Sequence, residues 1–234
     1  MHANPAIEKF PINSNGRDFI VGDVHGHFQA LSDTLKQRQF NPHRDRVFCV
    51  GDLVDRGPSS LEAHQWLAQP WFHSCLGNHE DCLLNRDPAD KEGRQWFEKY
   101  GGHWWLELDE QQRQPIRAAM SQLPHAIEIE TQHGRIGLIH AEIPTGLNWP
   151  DFIRLLEAGD NLSLQSSLWG RKRIGSIFSP SIKGIDRVVC GHSVTKDRQV
   201  IKKGNIWFIE TGAYLAKDGG SLTVLCSDEL FSGK

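Results

Sequence analysis

Carboxylates, an amide and histidines recur in this chain as short glycine-bearing clusters: Gly22-Asp23-Val24-His25-Gly26, Gly51-Asp52-Leu53-Val54-Asp55-Arg56-Gly57 and Gly77-Asn78-His79-Glu80. Two single histidines follow apolar runs, His140 after Gly137-Leu138-Ile139 and His192 after Val188-Val189-Cys190-Gly191. Oxygen and imidazole donors without thiolate suit Mn²⁺, Fe or Zn²⁺ better than a soft ion such as Cu(I), and the residue types do not choose among the three. Residues two apart in an extended segment point the same way, so Asp23 and His25 are expected to converge on one ion. The flanking glycines are expected to let the backbone turn tightly there. Taken singly, each cluster has a structural explanation, since an Asp-Arg-Gly segment is often only a turn and a lone histidine is more often a packing residue than a ligand.

The elements that must hold these residues are legible as apolar runs alternating with helical periodicity. Asp18 to Val21, Phe28 to Arg38, Arg46 to Val50, Ser59 to Ala68 and Phe72 to Leu76 read as βαβαβ, and each of the three strands ends in one of the clusters. Ligand sites in open α/β sheets lie at such carboxyl ends. Pro58 and Ser59 stand before Glu62 at capping-box spacing, with Leu61, Ala63 and Leu67 as the helix's expected buried side. From Asp81 to Leu123 the pattern turns helical and aromatic, predicting a helical insertion at about 81–123 with Pro115 in a first turn and Trp96, Trp104 and Trp105 as its core. Strands are expected at Ala126 to Glu130, Arg135 to Ile139, Arg187 to Cys190, Val200 to Ile201, Ile206 to Ile209 and Ser221 to Leu225. Between them lie one or two short helices over Trp149 to Leu168 and a polar loop over Arg171 to Gly184. The result is an α/β chain, more α+β in its second half, folded as a single domain over 1–234.

With 234 residues, 24% of them charged, and a net charge of −3, the chain offers no extended basic footprint, so nucleic acid is not expected as a partner. Met1 to Ile12 lacks the cationic start and apolar core of a leader, and no apolar run reaches membrane-spanning length, so a cytoplasmic location is expected. The cysteines, Cys49, Cys75, Cys82, Cys190 and Cys226, form no CxxC pair and read as reduced core thiols, with a zinc-thiolate site the weaker alternative. His27, His43, His64, His73, His103, His125 and His133 have no comparable setting and read as surface or packing residues.

These clusters, in this order, resemble the metallophosphoesterases of the phosphoprotein phosphatase family, especially its compact bacterial and phage members, and the likeness extends over most of the chain. Trp169-Gly170-Arg171 is similar to their phosphate-binding loop. The resemblance implies a calcineurin-like metallophosphoesterase fold, with a mixed β-sheet sandwich core flanked by helices. It also implies two divalent metal ions, Mn²⁺ first, with Fe or Zn²⁺ as alternatives. Asp23 and His25 would bind the first ion, Asp52 would bridge both, and Asn78, His140 and His192 would complete the second. Arg56, Asn78 and Arg171 would contact the substrate phosphate, while His79, oriented by Asp55, would protonate the leaving group.

Two divalent cations less two carboxylate charges leave a site that attracts a phosphate dianion. A water bridging ions ~3.5–4 Å apart loses a proton near neutral pH and can attack phosphorus in line, with no phosphoenzyme. The expected activity is a bacterial-type serine/threonine protein phosphatase acting on a phosphorylated protein or small phosphoester, with phosphotyrosine and phosphohistidine as further substrates. The rivals are a diadenosine-tetraphosphate hydrolase of the same superfamily and a non-catalytic phosphopeptide-binding module. The latter is disfavoured because every proposed ligand and the acid pair are present. No GxxxxGK[ST] segment supports a P-loop reading. Glu142 and Glu210 stand where these relatives often carry aspartate, and Tyr214 lies near the segment that holds an active-site tyrosine in eukaryotic members, without an assignable role.

Overall fold

The computed structural model describes residues 4–232; the expected 1–234 boundary extends past these at both ends. Two sheets form the core. The smaller consists of β2 (Asp18–Val21), β3 (Arg46–Cys49) and β4 (Phe72–Ser74) in parallel, with β10 (Val224–Cys226) antiparallel on β2. The larger has the order β1-β5-β6-β7-β9-β8, comprising β1 (Ile7–Phe10), β5 (Ala126–Thr131), β6 (Gly134–Ile139), β7 (Arg187–Cys190), β9 (Ile206–Phe208) and β8 (Ile201–Lys203). Pairing in it is parallel at β1/β5, β6/β7 and β7/β9, and antiparallel at β5/β6 and β8/β9.

The sheets pack face to face because their strands are apolar on the side they share. Ile20, Phe48 and Val50 of one interdigitate with Ile127, Ile129, Leu138 and Val189 of the other. The opposite face of the small sheet is covered by α1 (Phe28–Gln37) and α2 (Ala63–Leu67), joined by four helices, α3 (Asn78–Asn85), α4 (Lys91–Tyr100), α5 (His103–Leu106) and α6 (Glu110–Met120). Trp105, Phe97, Ile116 and Met120 lie in one apolar cluster with Phe19 and Val47 of the small sheet, so the helical insertion shares that core. The outer face of the large sheet is covered by α7 (Trp149–Glu157), with α8 (Asn161–Trp169) and α9 (Lys172–Gly175) following it.

Several local expectations are corrected. Ser59 makes no side-chain cap; the segment opens as a 3₁₀ turn at Ser60–Glu62, and Leu61 is 48% exposed while Ala63 is buried. Pro115 lies in the second turn of α6, because Asp109 and Gln112 form a capping box that starts the helix at Glu110. The loop expected from Arg171 begins instead as α9. The last strand lies at Val224–Cys226 rather than Ser221 to Leu225. Strand β1 had no sequence signal: Ile-Glu-Lys-Phe is short, half charged and on the sheet edge, where pairing with β5 decides its conformation.

Candidate metal centre

The clusters meet where the two sheets' strand ends converge. Backbone bonds first tie the loops together: Val24 and His25 donate their N–H to the Asp52 carbonyl (3.1 and 2.8 Å), and Gly26 donates to that of Leu53 (2.8 Å). Glu80, which had no assigned role, then fixes the Asp52 loop from inside. Its carboxylate accepts N–H bonds from Asp52 (2.8 Å), Leu53 (2.8 Å), Val54 (3.2 Å) and Gly77 (2.9 Å) while fully buried. The sequence signal for it was its place three residues after Gly77, just inside a helix start.

His25, Asp52, Asp55, Arg56 and His192 all have left-handed backbones, with φ between 44° and 69°. That conformation costs a non-glycine residue, and such strain collects at functional sites. It also corrects the strand-periodicity argument for Asp23 and His25: β2 has ended at Val21, and the turn at His25 (φ 44°) sets the ring's direction. At Gly77 and Gly191 the glycine serves close approach rather than turning. A Cβ on Gly77 would lie 2.2 Å from the Asp52 nitrogen, and one on Gly191 would lie 1.9 Å from Asp23 Oδ1.

Two groups of donor atoms come together, His25, Asp52 and His79 in one and Asp52, His140 and His192 in the other, with atoms in each group within 4.8 Å of one another. Asp52 belongs to both. Asp23 belongs to neither; both its oxygens accept the His192 N–H (3.1 and 2.9 Å). No cysteine joins these groups. Asn78 joins the second group through Oδ1, 2.9 Å from His140 Nε2 and 2.8 Å from His192 Nδ1.

The protonation pattern of these atoms fits a cation. His25 Nδ1 and His140 Nδ1 each face a backbone carbonyl, of Val54 (2.8 Å) and Val50 (2.9 Å), so each donates there and leaves a lone pair on Nε2. Burial lowers the pKa of both rings and takes His192 to about 2, so all three rings are neutral near pH 7. His140 Nε2 therefore points a lone pair at the Asn78 oxygen, and lies 3.4 Å from Asp52 Oδ1. His192 Nε2 is buried with no partner. Asp23 is pushed well up by burial, then by the neighbouring Glu210 and Asp52 carboxylates, and burial takes Glu210 to about 7. Acceptors crowded against acceptors in a buried, acid-rich site are relieved by divalent cations.

His79, one of the donors of the first group, is paired with Asp55. Asp55 Oδ2 accepts from His79 Nδ1 at 2.6 Å, and Asp55 Oδ1 accepts from Trp104 Nε1 at 2.7 Å. Trp96 stands 5.1 Å from the His79 ring, so two of the tryptophans read first as insertion core, with an exposed part able to line a substrate groove, face the site, while Trp105 fills the core. Arg56 reaches His25 Nε2 and His79 Nε2 (3.1 Å), and its guanidinium lies 4.3 Å over the Tyr214 ring, which places that tyrosine at the site. Arg171 is exposed and donates to Ser193 Oγ at 3.3 Å, whereas the neighbouring Arg173 is buried and holds the carbonyls of Ile143 and Pro144. Glu142 accepts the Arg173 N–H at 2.7 Å. Trp169, 6.1 Å from the His192 ring, forms a wall shared by cavities of about 500 and 430 Å³.

The calcineurin-like phosphoesterase family profile matches residues 19–196, a span that contains every donor described above. The chain belongs to that family. Among curated relatives, serine/threonine-protein phosphatase 2 of Salmonella typhimurium is 31% identical over 202 residues, covering 84% of this chain and 87% of that protein. A symmetrical bis(5'-nucleosyl)-tetraphosphatase of Serratia proteamaculans is 41% identical over 68 residues, only 28% of this chain and 24% of that protein. The crystal structure of a cold-active protein-tyrosine phosphatase from a psychrophilic Shewanella shares the fold, with a TM-score of 0.63 at 16% identity over 95% of this chain and 78% of that one. Membership in this phosphoesterase family implies divalent metal ions, in agreement with the donor chemistry. No helix among the described residues is long and apolar enough to cross a membrane.

Proposed function

We propose that this phosphoesterase is a phosphomonoesterase acting on phosphorylated protein side chains, with Mn²⁺ as its preferred metal. The observation that carries the reading is the shared Asp52, common to two groups of imidazole and carboxylate donors, one of which includes His79, itself bonded to Asp55. Sequence likeness to the Salmonella phosphatase over most of both chains favours a protein substrate over a dinucleotide, since the sequence match to the Serratia tetraphosphatase spans 68 residues.

Asp23, His25 and Asp52 would hold one ion, and Asp52, Asn78, His140 and His192 the other; this thiolate-free set of oxygens and imidazoles suits Mn²⁺, with Fe or Zn²⁺ as alternatives. Bound there, the ions would lower the pKa of water to near neutrality and draw charge from the phosphoryl oxygens. Arg56, Arg171 and the Asn78 amide would hold phosphate oxygens, the exposed guanidinia orienting the dianion for in-line attack. As the ester P–O bond breaks and its electron pair passes to the leaving oxygen, protonated His79 delivers its Nε2 proton there, with Asp55 stabilising the imidazolium through Nδ1–H. All five cysteines are unpaired and four are buried, which supports a reducing compartment, the cytoplasm.

The test is hydrolysis of p-nitrophenyl phosphate by metal-stripped protein, with Mn²⁺ restored or withheld, beside Asp52→Asn. Activity that returns with metal and is absent from the variant supports the site; full activity in the variant with both metals bound refutes it. Product analysis on a phosphoserine peptide and on diadenosine tetraphosphate separates the two substrate classes.

A further inference from the structure

The helical insertion touches the acid pair at two points and the adjacent Arg56 at a third. Trp96 packs 5.1 Å from the His79 ring, Trp104 donates its indole N–H to Asp55 Oδ1 at 2.7 Å, and the Gly101 carbonyl accepts the Arg56 N–H at 3.0 Å. We infer that Trp104 is a positioning residue for proton transfer: its indole N–H fixes the Asp55 carboxylate plane, which in turn orients His79. The inference rests on the reading of His79 as the proton donor.

Asp55 is fully buried and its backbone is fixed, with φ 68° and its N–H donating to Ser60 Oγ at 2.9 Å. What is left free is rotation of the carboxylate about its last torsion, a broad twofold well that packing alone restrains weakly. Two donors on opposite oxygens remove that freedom: His79 Nδ1–H takes Oδ2 and Trp104 Nε1–H takes Oδ1. An indole is only ever a donor, so Oδ1 is held as an acceptor and cannot turn towards His79 carrying a proton. Without the indole, Oδ1 is a buried oxygen with no donor, and the carboxylate can rotate to share its single partner. The His79 ring then loses the constraint that aims Nε2 at the departing oxygen.

The adjacent tryptophan supplies the contrast. Trp105 is fully buried in the apolar cluster and its indole nitrogen has no partner, so its contribution is packing. Trp104 is half-buried and its nitrogen has one short, charge-assisted bond. Removing the first should cost stability, and removing the second should cost orientation of the acid.

A positioned acid matters in proportion to the basicity of the leaving oxygen, which gives the experiment its readout. The Mn²⁺-loaded enzyme and its Trp104→Phe, Trp105→Phe, His79→Asn and Trp104→Phe/His79→Asn variants are assayed on 2,4-dinitrophenyl, p-nitrophenyl and phenyl phosphate and on a phosphoserine peptide. Trp104→Phe should lose about 10-fold or more in kcat on the phosphoserine peptide, the size expected for a bond to a charged group, and progressively less as the leaving group improves. The double variant should be no slower than His79→Asn alone, since Trp104 acts through His79. Trp105→Phe should lower thermal stability and leave the leaving-group dependence unaltered.

An equal loss across the ester series for Trp104→Phe, no loss on the peptide, or multiplicative effects in the double variant would overturn the inference while His79 kept its role. If His79→Asn itself loses the same factor on every ester, the donor reading fails and takes the inference with it. Hydrogen exchange of the unmodified enzyme covers the case in which Trp104→Phe does not fold: the Trp104 indole N–H should exchange more slowly than that of the more exposed Trp169. Equal rates would exclude the bond to Asp55.

Discussion

Glu80→Gln changes one heavy atom and should disturb the whole centre. In the native chain Oε1 accepts from Leu53 and Val54 and Oε2 from Asp52 and Gly77, so each oxygen serves two backbone donors. A glutamine presents NH₂ to one of these pairs, setting donor against donor with no water to relieve it. Two buried unpaired N–H groups cost about 1–3 kcal/mol each, so the loss should be about 2–4 kcal/mol after relaxation. In a chain of this length that lowers Tm by roughly 5–15 °C. Whichever pair is opposed, the loop that carries Asp52 moves, so affinity for both ions should fall together. Thermal unfolding and Mn²⁺ titration of the variant would measure the two effects. Burial, followed by repulsion from Asp52, raises the Glu80 pKa to about 8, and this sharpens the test. A Glu80→Gln protein with native Tm and native metal affinity would mean that Glu80 carries a proton and that one oxygen accepts no N–H bond, refuting the four-acceptor account.

Gly77→Ala should abolish metal binding and reduce activity at least about 100-fold, because the new methyl would lie 2.2 Å from the Asp52 nitrogen and 2.3 Å from its Oδ1; retained metal content would show that the loop can yield. Arg171→Ala should raise KM for phosphoesters about 10-fold with a smaller fall in kcat, as an exposed guanidinium that binds phosphate would, and an unchanged KM would remove it from the site. His125 predicts a pH effect away from the centre: burial lowers its pKa from 6.5 to about 4, so the unfolded chain takes the proton first. Its contribution is therefore present above pH 6.5 and lost as pH falls towards 4, by up to about 3 kcal/mol. His125→Gln, compared with the parent by urea unfolding at pH 7 and pH 4.5, should show a shallower loss of stability; identical slopes would refute this.

What the sequence determined was the local part of the architecture. The alternation Asp18 to Leu76 encodes three parallel strands and two helices because apolar periodicity is a property of neighbouring residues, and the glycine-bearing polar clusters mark where those strands end. With the later apolar runs that end at His140 and His192, that was enough to nominate His25, Asp52, Asn78, His140 and His192 as donors, with His79 nominated as the acid, and to suggest the family through the order of the clusters.

The tertiary structure decided which atoms meet, since hydrogen-bond partners far apart in the chain leave no local signature. Glu80 reads as an ordinary residue in the first turn of a helix until the Asp52 loop, 28 residues earlier, is folded onto it. Trp104 reads as one of several insertion aromatics until the insertion packs and brings its indole to Asp55, 49 residues away. The same holds for backbone conformation. Glycines were expected to make the turns, and Gly26 (φ 67°) and Gly51 (φ 106°) do, but His25, Asp52 and His192 adopt left-handed geometry as well, while Gly77 and Gly191 supply the space beside Asp52 and Asp23. Strain of that kind is sustained only by the surrounding packing and bonds, so it becomes visible only once both sheets and the insertion are in place.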